Sequence, residues 1–356
     1  MTSPLPAPLR PLAPALEALY RVGLGHRTRA FDRGKGVVTI DRPVISVGNL
    51  SVGGTGKSPT VAFLVQALSD AGHTPAIAMR GYRASNGLSD EADAYTRAFP
   101  EIPVIAQADR LLGLLQHFGS ERGERTDVVV LDDGFQHRRI ARQLDIVLID
   151  ATRSPFNDRL LPAGYLREPP STLARATCVV LTHCDRVDAS TRNALASRAL
   201  DAGAPVIARS RHAWSALDVF SANDDESHPT DWLKGRRLAV VTAIGKPDSV
   251  IQTATAAAGA PPSAVLNLKD HDPYAPGTLA KIERLITDHS ADTLLVTDKD
   301  WSKLRARNPE RFGVPIARPR LGLGFLEGED RLRGLIAEAA ARDPDDGPII
   351  LDGPIH

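Results

Sequence analysis

The segment that most restricts how this chain can fold runs from Val44 to Ser58. Val44-Ile45-Ser46-Val47-Gly48 is a short apolar run of the kind that forms a buried strand. Asn49-Leu50-Ser51-Val52-Gly53-Gly54-Thr55-Gly56-Lys57-Ser58 leads from it into a helical pattern. The P-loop pattern G-x-x-x-x-G-K-[ST] is met at Gly56, Lys57 and Ser58, with Ser51 where the first glycine would stand. Gly53, Gly54 and Gly56 let the backbone turn its N–H groups inward around phosphate oxygens. The N-terminus of the following helix adds a positive dipole end. Lys57 suits the β- and γ-phosphates, and the Ser58 hydroxyl suits Mg²⁺. Ser51, Val52, Gly53, Gly54, Thr55, Gly56, Lys57 and Ser58 are therefore the candidate nucleotide-binding residues. A glycine-rich turn without a ligand would not require strand, loop, Lys-Ser and helix to coincide, as they do here.

Further apolar runs follow at Ala76–Met79, Val128–Leu131, Ile146–Ile149 and Val179–Leu181, with helical pattern at Lys57–Ala71 and Leu111–Phe118. Strands alternating with helices predict an α/β fold, a mostly parallel sheet with helices on both faces. This P-loop core is expected over residues 36–210. Polar, turn-rich Ser221–Asp231 reads as a linker or exposed loop. A smaller C-terminal α/β lobe is expected over 232–340, with strands at Leu238–Ala243, Val265–Leu268 and Thr293–Val296 and helices at Ser249–Ala258 and Pro276–Asp288. The tail 341–356 is rich in Asp, Pro and Gly and is expected to be loose.

Val128-Val129-Val130-Leu131-Asp132-Asp133-Gly134 places two carboxylates at the end of an apolar strand. P-loop enzymes put a magnesium-handling Asp there, and open α/β sheets bind ligands at the carboxyl ends of their strands. Asp132 and Asp133 are thus candidate Mg²⁺ ligands beside the phosphate loop. Successive strand residues point to opposite faces, so one of the two, not specified by sequence, is expected to touch the metal. Asp-Gly is also a common turn pair, which is the bland reading of the same residues.

Lys plus Arg equals Asp plus Glu, at 43 each in 356 residues. That balance exerts no global pull toward nucleic acid, and no nucleic-acid partner is expected. Cys178 and Cys184 form neither a metal spacing nor a disulfide framework. The proline-spaced start lacks the apolar stretch of a secretory signal, and no apolar run is long enough to span a bilayer. Residues 1–35 contain a helical pattern in which Leu12, Leu16, Leu19 and Gly23 share a face, followed by Arg21, His26, Arg27, Arg29, Arg33 and Lys35. Two readings stay open: a segment resting on an anionic membrane surface, or a helix packed on its own domain with a solvated basic face.

Several further motifs occur together: Arg80-Gly81-Tyr82, Ser89-Asp90-Glu91-Ala92, Asp132-Asp133-Gly134-Phe135-Gln136-His137 and Leu161-Pro162-Ala163-Gly164-Tyr165-Leu166-Arg167-Glu168-Pro169. Later come Ala243-Ile244-Gly245-Lys246-Pro247, Asp270-His271 and Thr297-Asp298-Lys299-Asp300. With Val47-Gly48-Asn49 and the phosphate loop, this set resembles the tetraacyldisaccharide 4′-kinase family over roughly residues 10–305. The resemblance implies transfer of the γ-phosphate of ATP to the 4′-hydroxyl of an acylated glucosamine disaccharide 1-phosphate, giving lipid IVA. It implies ATP and Mg²⁺ as cofactors and a peripheral location at the cytoplasmic face of the bacterial inner membrane. The family's acceptor-side pair corresponds to Asp90 and His271, residues expected in different lobes. Arg167, Glu91, Gln136 and His137, inside the specific motifs, are candidate substrate contacts; Arg110, Arg138 and Arg139 are further candidates for phosphate or acceptor contacts, since arginine suits bidentate phosphate recognition, with a solvated basic turn as the other reading of Arg138 and Arg139.

The chain departs from the family where Ser89-Asp90-Glu91-Ala92 replaces Gly-Asp-Glu-Pro, where Asp270-His271-Asp272 replaces Asp-His-His, and where Thr297-Asp298-Lys299-Asp300 replaces Thr-Glu-Lys-Asp. Asp90 and His271 are retained, and a carboxylate at position 272 would favour a protonated His271. Two rival readings are a regulatory GTPase, faintly echoed by Leu181-Thr182-His183-Cys184-Asp185, and a nucleotide-dependent membrane-binding module without chemistry.

Overall fold

The computed structural model describes residues 4–81, 90–221, 224–244, 247–269 and 272–351, and all side chains among them except those of Asp90 and Glu91. His271 therefore lies outside the described residues, as do Gly245, Lys246 and Asp270. The chain divides into two compact units, the first up to His212 and again from Gly324, the second Ala213–Leu323.

In the first unit, helix α1 (Ala13–Asp32) precedes β1 (Val44–Asn49), α2 (Lys57–Asp70), β2 (Pro75–Met79), α3 (Asp90–Ala98), β3 (Val104–Ala106), α4 (Arg110–Phe118), α5 (Glu121–Glu124), β4 (Val128–Asp132), β5 (Leu144–Asp150), β6 (Cys178–Thr182) and α6 (Ala189–Asp201). The strands run in the order β6-β5-β1-β4-β2-β3, and every pairing is parallel. Strand β7 (Val206–Ser221) begins in this unit and pairs in parallel with β6. β1, β4 and β6 are buried at every residue. That is why these segments read as continuous apolar runs instead of alternating ones.

Apolar cores cover both faces of the sheet. On one, Val61, Leu64 and Leu68 of α2 pack against Ile45, Val130 and Ile146. On the other, Phe135, Leu160, Leu166 and Leu195 pack against Val147, Val179 and Leu181. A further core packs Leu111 and Leu114 of α4 on Val44, Val129 and Leu131. Each fully buried Leu or Val contributes about 1.5–3 kcal/mol relative to exposure.

The second unit carries β8 (Asp224–His228), β9 (Leu238–Thr242), α7 (Pro247–Ala258), β10 (Ala264–Asn267), α8 (Pro276–Asp288), β11 (Thr293–Val296) and α9 (Asp298–Leu304). β10, β9, β11 and then β12 (Ile316–Glu327) are neighbours, all paired in parallel. The polar stretch expected as a linker contains β8, antiparallel to the end of β7. Its side chains are mostly exposed, so composition favoured a loop while the backbone found a ladder.

The C-terminus departs from expectation. Helix α10 (Glu329–Ala341) belongs to the first unit, where Leu332, Leu335, Ile336 and Ala339 share the core of α2 and β1. The expected second lobe to residue 340 therefore ends at Leu323. Nor is the tail loose as far as Ile349. The Ile349 amide donates to the Gln143 carbonyl at 2.7 Å, and Gln143 Nε2 donates to the Pro344 carbonyl at 2.8 Å. Gln143 Oε1 meanwhile accepts from the Val44 amide at 2.7 Å, so the tail docks where β1 and β5 begin.

Helix α1 packs on its own unit: Glu17 is buried against Arg159 and Leu160, and Tyr20 and Leu24 pack against the core of Phe135 and Leu166, yet its apolar row faces outward. Leu9 just before it, Leu12, Leu16, Leu19 and Val22 are exposed, whereas the residues it buries are Ala13 and Glu17. Among the described residues no helix is long and apolar enough to cross a membrane.

Candidate active site

The phosphate loop leaves β1 and enters α2 through Gly56, which has φ 85° and forms the helix N-cap. Gly53 has φ 119°. Both values lie in the region that favours glycine, so the loop's path is built on these residues. The loop is anchored from outside. The Val52 amide donates to the Tyr165 carbonyl at 2.9 Å, and the Arg167 amide to the Leu50 carbonyl at 2.7 Å. Ser51 forms a bridge with Leu166, and its carbonyl accepts from Asn49 Nδ2 at 2.7 Å. Ser51 and Val52 are thus framework, the Val52 N–H being already engaged; the exposed Gly53, Gly54 and Ser58 face solvent. Behind the loop, Thr182 Oγ1 donates to the Thr55 carbonyl at 3.0 Å.

The acidic strand end is pressed against β1. A Cβ on Gly48 would lie 2.5 Å from Phe135 Cβ and 2.6 Å from its backbone nitrogen; one on Gly134 would lie 2.4 Å from Ser46 Oγ. Asp133 occupies the left-handed region at φ 51°, which turns the chain so that the two adjacent carboxylates need not point to opposite faces. Asp132 is buried and its Oδ2 accepts from Tyr95 Oη at 3.1 Å, tying α3, the helix that begins with Asp90, to the end of β4.

Asp133 is the electrostatic centre. Lys57 Nζ lies 3.5 Å from its Oδ1 and Arg167 Nη1 2.6 Å from its Oδ2. Arg110 Nη1 donates to its carbonyl at 3.2 Å. Burial alone would push the Asp133 carboxyl up, but Lys57, Arg167 and Arg110 outweigh it and hold the group below the usual carboxylate range. Lys57 Nζ also reaches Asn49 Oδ1 at 3.4 Å. Gly53, Lys57, Arg80, Arg110, Asp132, Asp133 and Arg167 line one cavity of about 180 Å³.

The other motif residues divide. Gln136 is a brace: Nε2 donates to the Asn49 carbonyl at 2.9 Å and to Glu168 Oε2 at 3.3 Å, while Oε1 accepts from Arg167 at 3.4 Å. These contacts join three of the sequence motifs. His137 is pushed down to about 4 by burial and by Arg110, Arg142 and Arg139, so it is neutral at pH 7. Arg138 pairs with Asp32 and Arg139 with Asp109, which ties the motif to neighbouring elements. The side chains of Asp90 and Glu91, and His271 entirely, lie outside the described residues. Asp272, the departure beside His271, turns its carboxylate to the Tyr274 amide at 2.7 Å and Thr278 Oγ1 at 3.3 Å. Sequence reasoning missed Tyr95 and Asn49; the latter stood in the quoted Val-Gly-Asn motif, the former carried no local signal.

Ser58, Asp132 and Asp133 offer hard oxygen donors near an anion-binding loop. Mg²⁺ binds through one or two carboxylates plus substrate phosphates, so this donor set fits it.

The sequence profile described as Tetraacyldisaccharide-1-P 4′-kinase matches residues 9–328. A tetraacyldisaccharide 4′-kinase of Anaeromyxobacter dehalogenans (strain 2CP-C) is 34% identical over 93% of this chain and 92% of its own. One from Bdellovibrio bacteriovorus is 33% identical over 83% of this chain and 89% of its own. The crystal structure of LpxK from Aquifex aeolicus in complex with ATP superposes with a TM-score of 0.66 at 27% identity, covering 93% of this chain and 99% of that one. A profile spanning most of the chain, relatives of matching length and a phosphate loop facing paired carboxylates converge on one assignment: the chain belongs to the tetraacyldisaccharide 4′-kinase family.

Proposed function

We propose that this chain carries out its family's reaction with Lys57, Asp132, Asp133 and Arg167 on the phosphate side and Asp90 and His271 on the acceptor side. The reaction is ATP-dependent phosphorylation of the 4′-hydroxyl of a tetraacyldisaccharide 1-phosphate, giving lipid IVA. The observation that carries the phosphate side is the convergence of Lys57 and Arg167 on Asp133 beside the Gly53–Gly56 turn.

Phosphoryl transfer asks the protein for positioning and charge neutralisation more than for covalent chemistry. The amides of Gly53 to Ser58 and the start of α2 cradle the phosphates. Lys57 and Arg167 balance the charge that shifts onto the phosphate oxygens, and Asp133 holds both cations in place beforehand. Mg²⁺, when bound, supplies further charge neutralisation at the phosphates, held by Ser58 with Asp132 or Asp133. Asp90 accepts the proton of the acceptor hydroxyl, and His271 orients Asp90 or shares that proton. Asp90 begins α3, whose Tyr95 is bonded to Asp132, so the acceptor base and the strand end share one local frame. The exposed row Leu12, Leu16, Leu19 and Val22 supports peripheral docking on an anionic bilayer at the cytoplasmic face, where an acylated acceptor resides.

Incubation with labelled ATP, Mg²⁺ and the disaccharide acceptor, followed by thin-layer separation, tests the reaction, with GTP as competitor. Asp90→Ala and His271→Ala each reduce transfer about 10²–10⁴-fold, with ATP affinity nearly unchanged. The double variant is little worse than the worse single one, because groups acting as a unit are non-additive. Retained transfer in Asp90→Ala ends the general-base role.

A further inference from the structure

Helix α1 presents its apolar row outward and turns a charge inward. Glu17 is 5% exposed on a helix whose other side chains are mostly open to solvent. Its carboxylate accepts from Arg159 Nε at 2.9 Å and Nη2 at 2.6 Å, from Arg21 at 3.1 Å and from the Leu160 amide at 3.3 Å. One turn on, Tyr20 Oη donates to the main-chain carbonyl of Arg167 at 2.9 Å. Farther along, Arg27 donates to the Gln136 carbonyl at 2.9 Å. The helix therefore grips the main chain of Arg167, whose guanidinium meets Asp133, and of Gln136, whose Oε1 accepts from Arg167.

The grip is continuous. Glu17 holds Leu160; the Leu161 amide donates to the Leu166 carbonyl at 2.8 Å and the Leu166 amide to the Arg159 carbonyl at 2.9 Å. Arg167 follows at once, its amide on Leu50 and its carbonyl on Tyr20, leaving its guanidinium aimed at Asp133. A buried, paired carboxylate contributes little net stability compared with an apolar residue of similar volume; its clearest use is to specify one arrangement. An apolar side chain at position 17 would hold α1 to the protein without orienting Leu160.

We propose that Tyr20 and Glu17 are positioning residues of the phosphoryl-transfer site, holding the Leu160–Arg167 segment so that Arg167 bears on Asp133. This rests on the reading of Arg167 as a site residue. It makes the helix with the exposed apolar row a structural part of the active site, acting through Arg167.

The test is a double-mutant cycle on the full chain, with ATP, Mg²⁺ and acceptor in mixed micelles. Tyr20→Phe keeps the ring and removes one hydrogen bond; kcat is expected to fall about three- to tenfold, with the acceptor KM unchanged. Glu17→Gln is expected to fall further. In an Arg167→Ala background Tyr20→Phe is expected to cost nothing more, because its effect runs through the missing side chain. An equal loss in both backgrounds, with a lower Tm, would show that Tyr20 only stabilises the fold and would overturn the inference. So would a raised acceptor KM at constant kcat, which would place Tyr20 on the substrate. Wild-type turnover in Arg167→Ala alone would overturn the site reading beneath the inference, a result separable from additivity.

Discussion

Arg167 and Asp133 meet at 2.6 Å, Nη1 to Oδ2, across 34 residues of sequence. The same carboxylate faces Lys57 through its other oxygen. One aspartate thus holds the lysine of the phosphate loop and the arginine of the Leu-Arg-Glu-Pro motif in a single cluster, and the first two predictions test that cluster.

Lys57→Ala is expected to abolish useful turnover and leave the fold intact. Losing one preorganised phosphate-stabilising group costs on the order of 10²–10³ in rate. Steady-state rates at saturating ATP, with a thermal melt as control, decide it; near-normal turnover would refute the role.

Asp132→Asn and Asp133→Asn are both expected to damage catalysis, with at least one raising the Mg²⁺ requirement. Asp133→Asn also removes the partner of two cations, so phosphate affinity changes with it. A magnesium titration read as initial rate checks this, and superimposable curves for both variants and wild type would remove the metal role.

Gly48→Ala is expected to destabilise the first unit and displace the acidic motif. The new methyl would lie 2.6 Å from the Phe135 backbone nitrogen, which cannot swing aside like a side-chain tip. Overpacking of this kind costs about 1–3 kcal/mol. Urea denaturation measures it, and an unchanged midpoint with unchanged rate would show that β1 and the Phe135 turn separate freely.

His137 and His212 are each pushed down to about 4, by burial first and then by neighbouring basic side chains: Arg110 and others at His137, the His183 ring and Arg186 at His212. The unfolded chain protonates them near 6.5, before the folded one does. Their contribution to stability is therefore full above about 6.5 and is lost as pH falls from there toward 4. Melting temperature against pH is expected to fall across that window and to flatten in His137→Gln and His212→Gln. A slope unchanged in both variants would assign it to other groups.

Leu12→Glu with Leu19→Glu is expected to weaken flotation with anionic liposomes about tenfold or more, since each leucine loses its burial in the interface. Wild-type binding should also weaken with salt, because exposed charges are screened beyond about 8 Å at physiological ionic strength. A melt excludes unfolding; unaltered flotation would remove α1 from the membrane account.

The parts of the site legible in sequence were those written locally. A buried strand, a glycine turn and Lys57-Ser58 occupy consecutive residues, and so do Val128–Leu131 and Asp132-Asp133. The family motifs brought in Arg167 and Gln136 without saying what they touch. Tyr95 left no local trace: it reaches Asp132 across 37 residues, and a tyrosine in a helix fits a core position equally well. For the same reason the polar stretch before Asp231 did not reveal β8, and the turn-rich tail did not reveal its bonds to Gln143.

What the sequence by itself determined is the alternation of strands and helices, the parallel sheet that follows from it, the phosphate loop and the acidic strand end. These depend on residues within one or two turns of each other, where backbone geometry and periodicity leave few alternatives. What only the tertiary structure decided is which surfaces meet. The leucine row of α1 was plain in the sequence, yet its direction was set by Glu17 finding Arg159 and Leu160, and by Tyr20 finding Arg167 across 147 residues. Periodicity defines the faces of a helix. The partner that buries one of them is a long-range contact, and its free energy depends on residues that local pattern does not place.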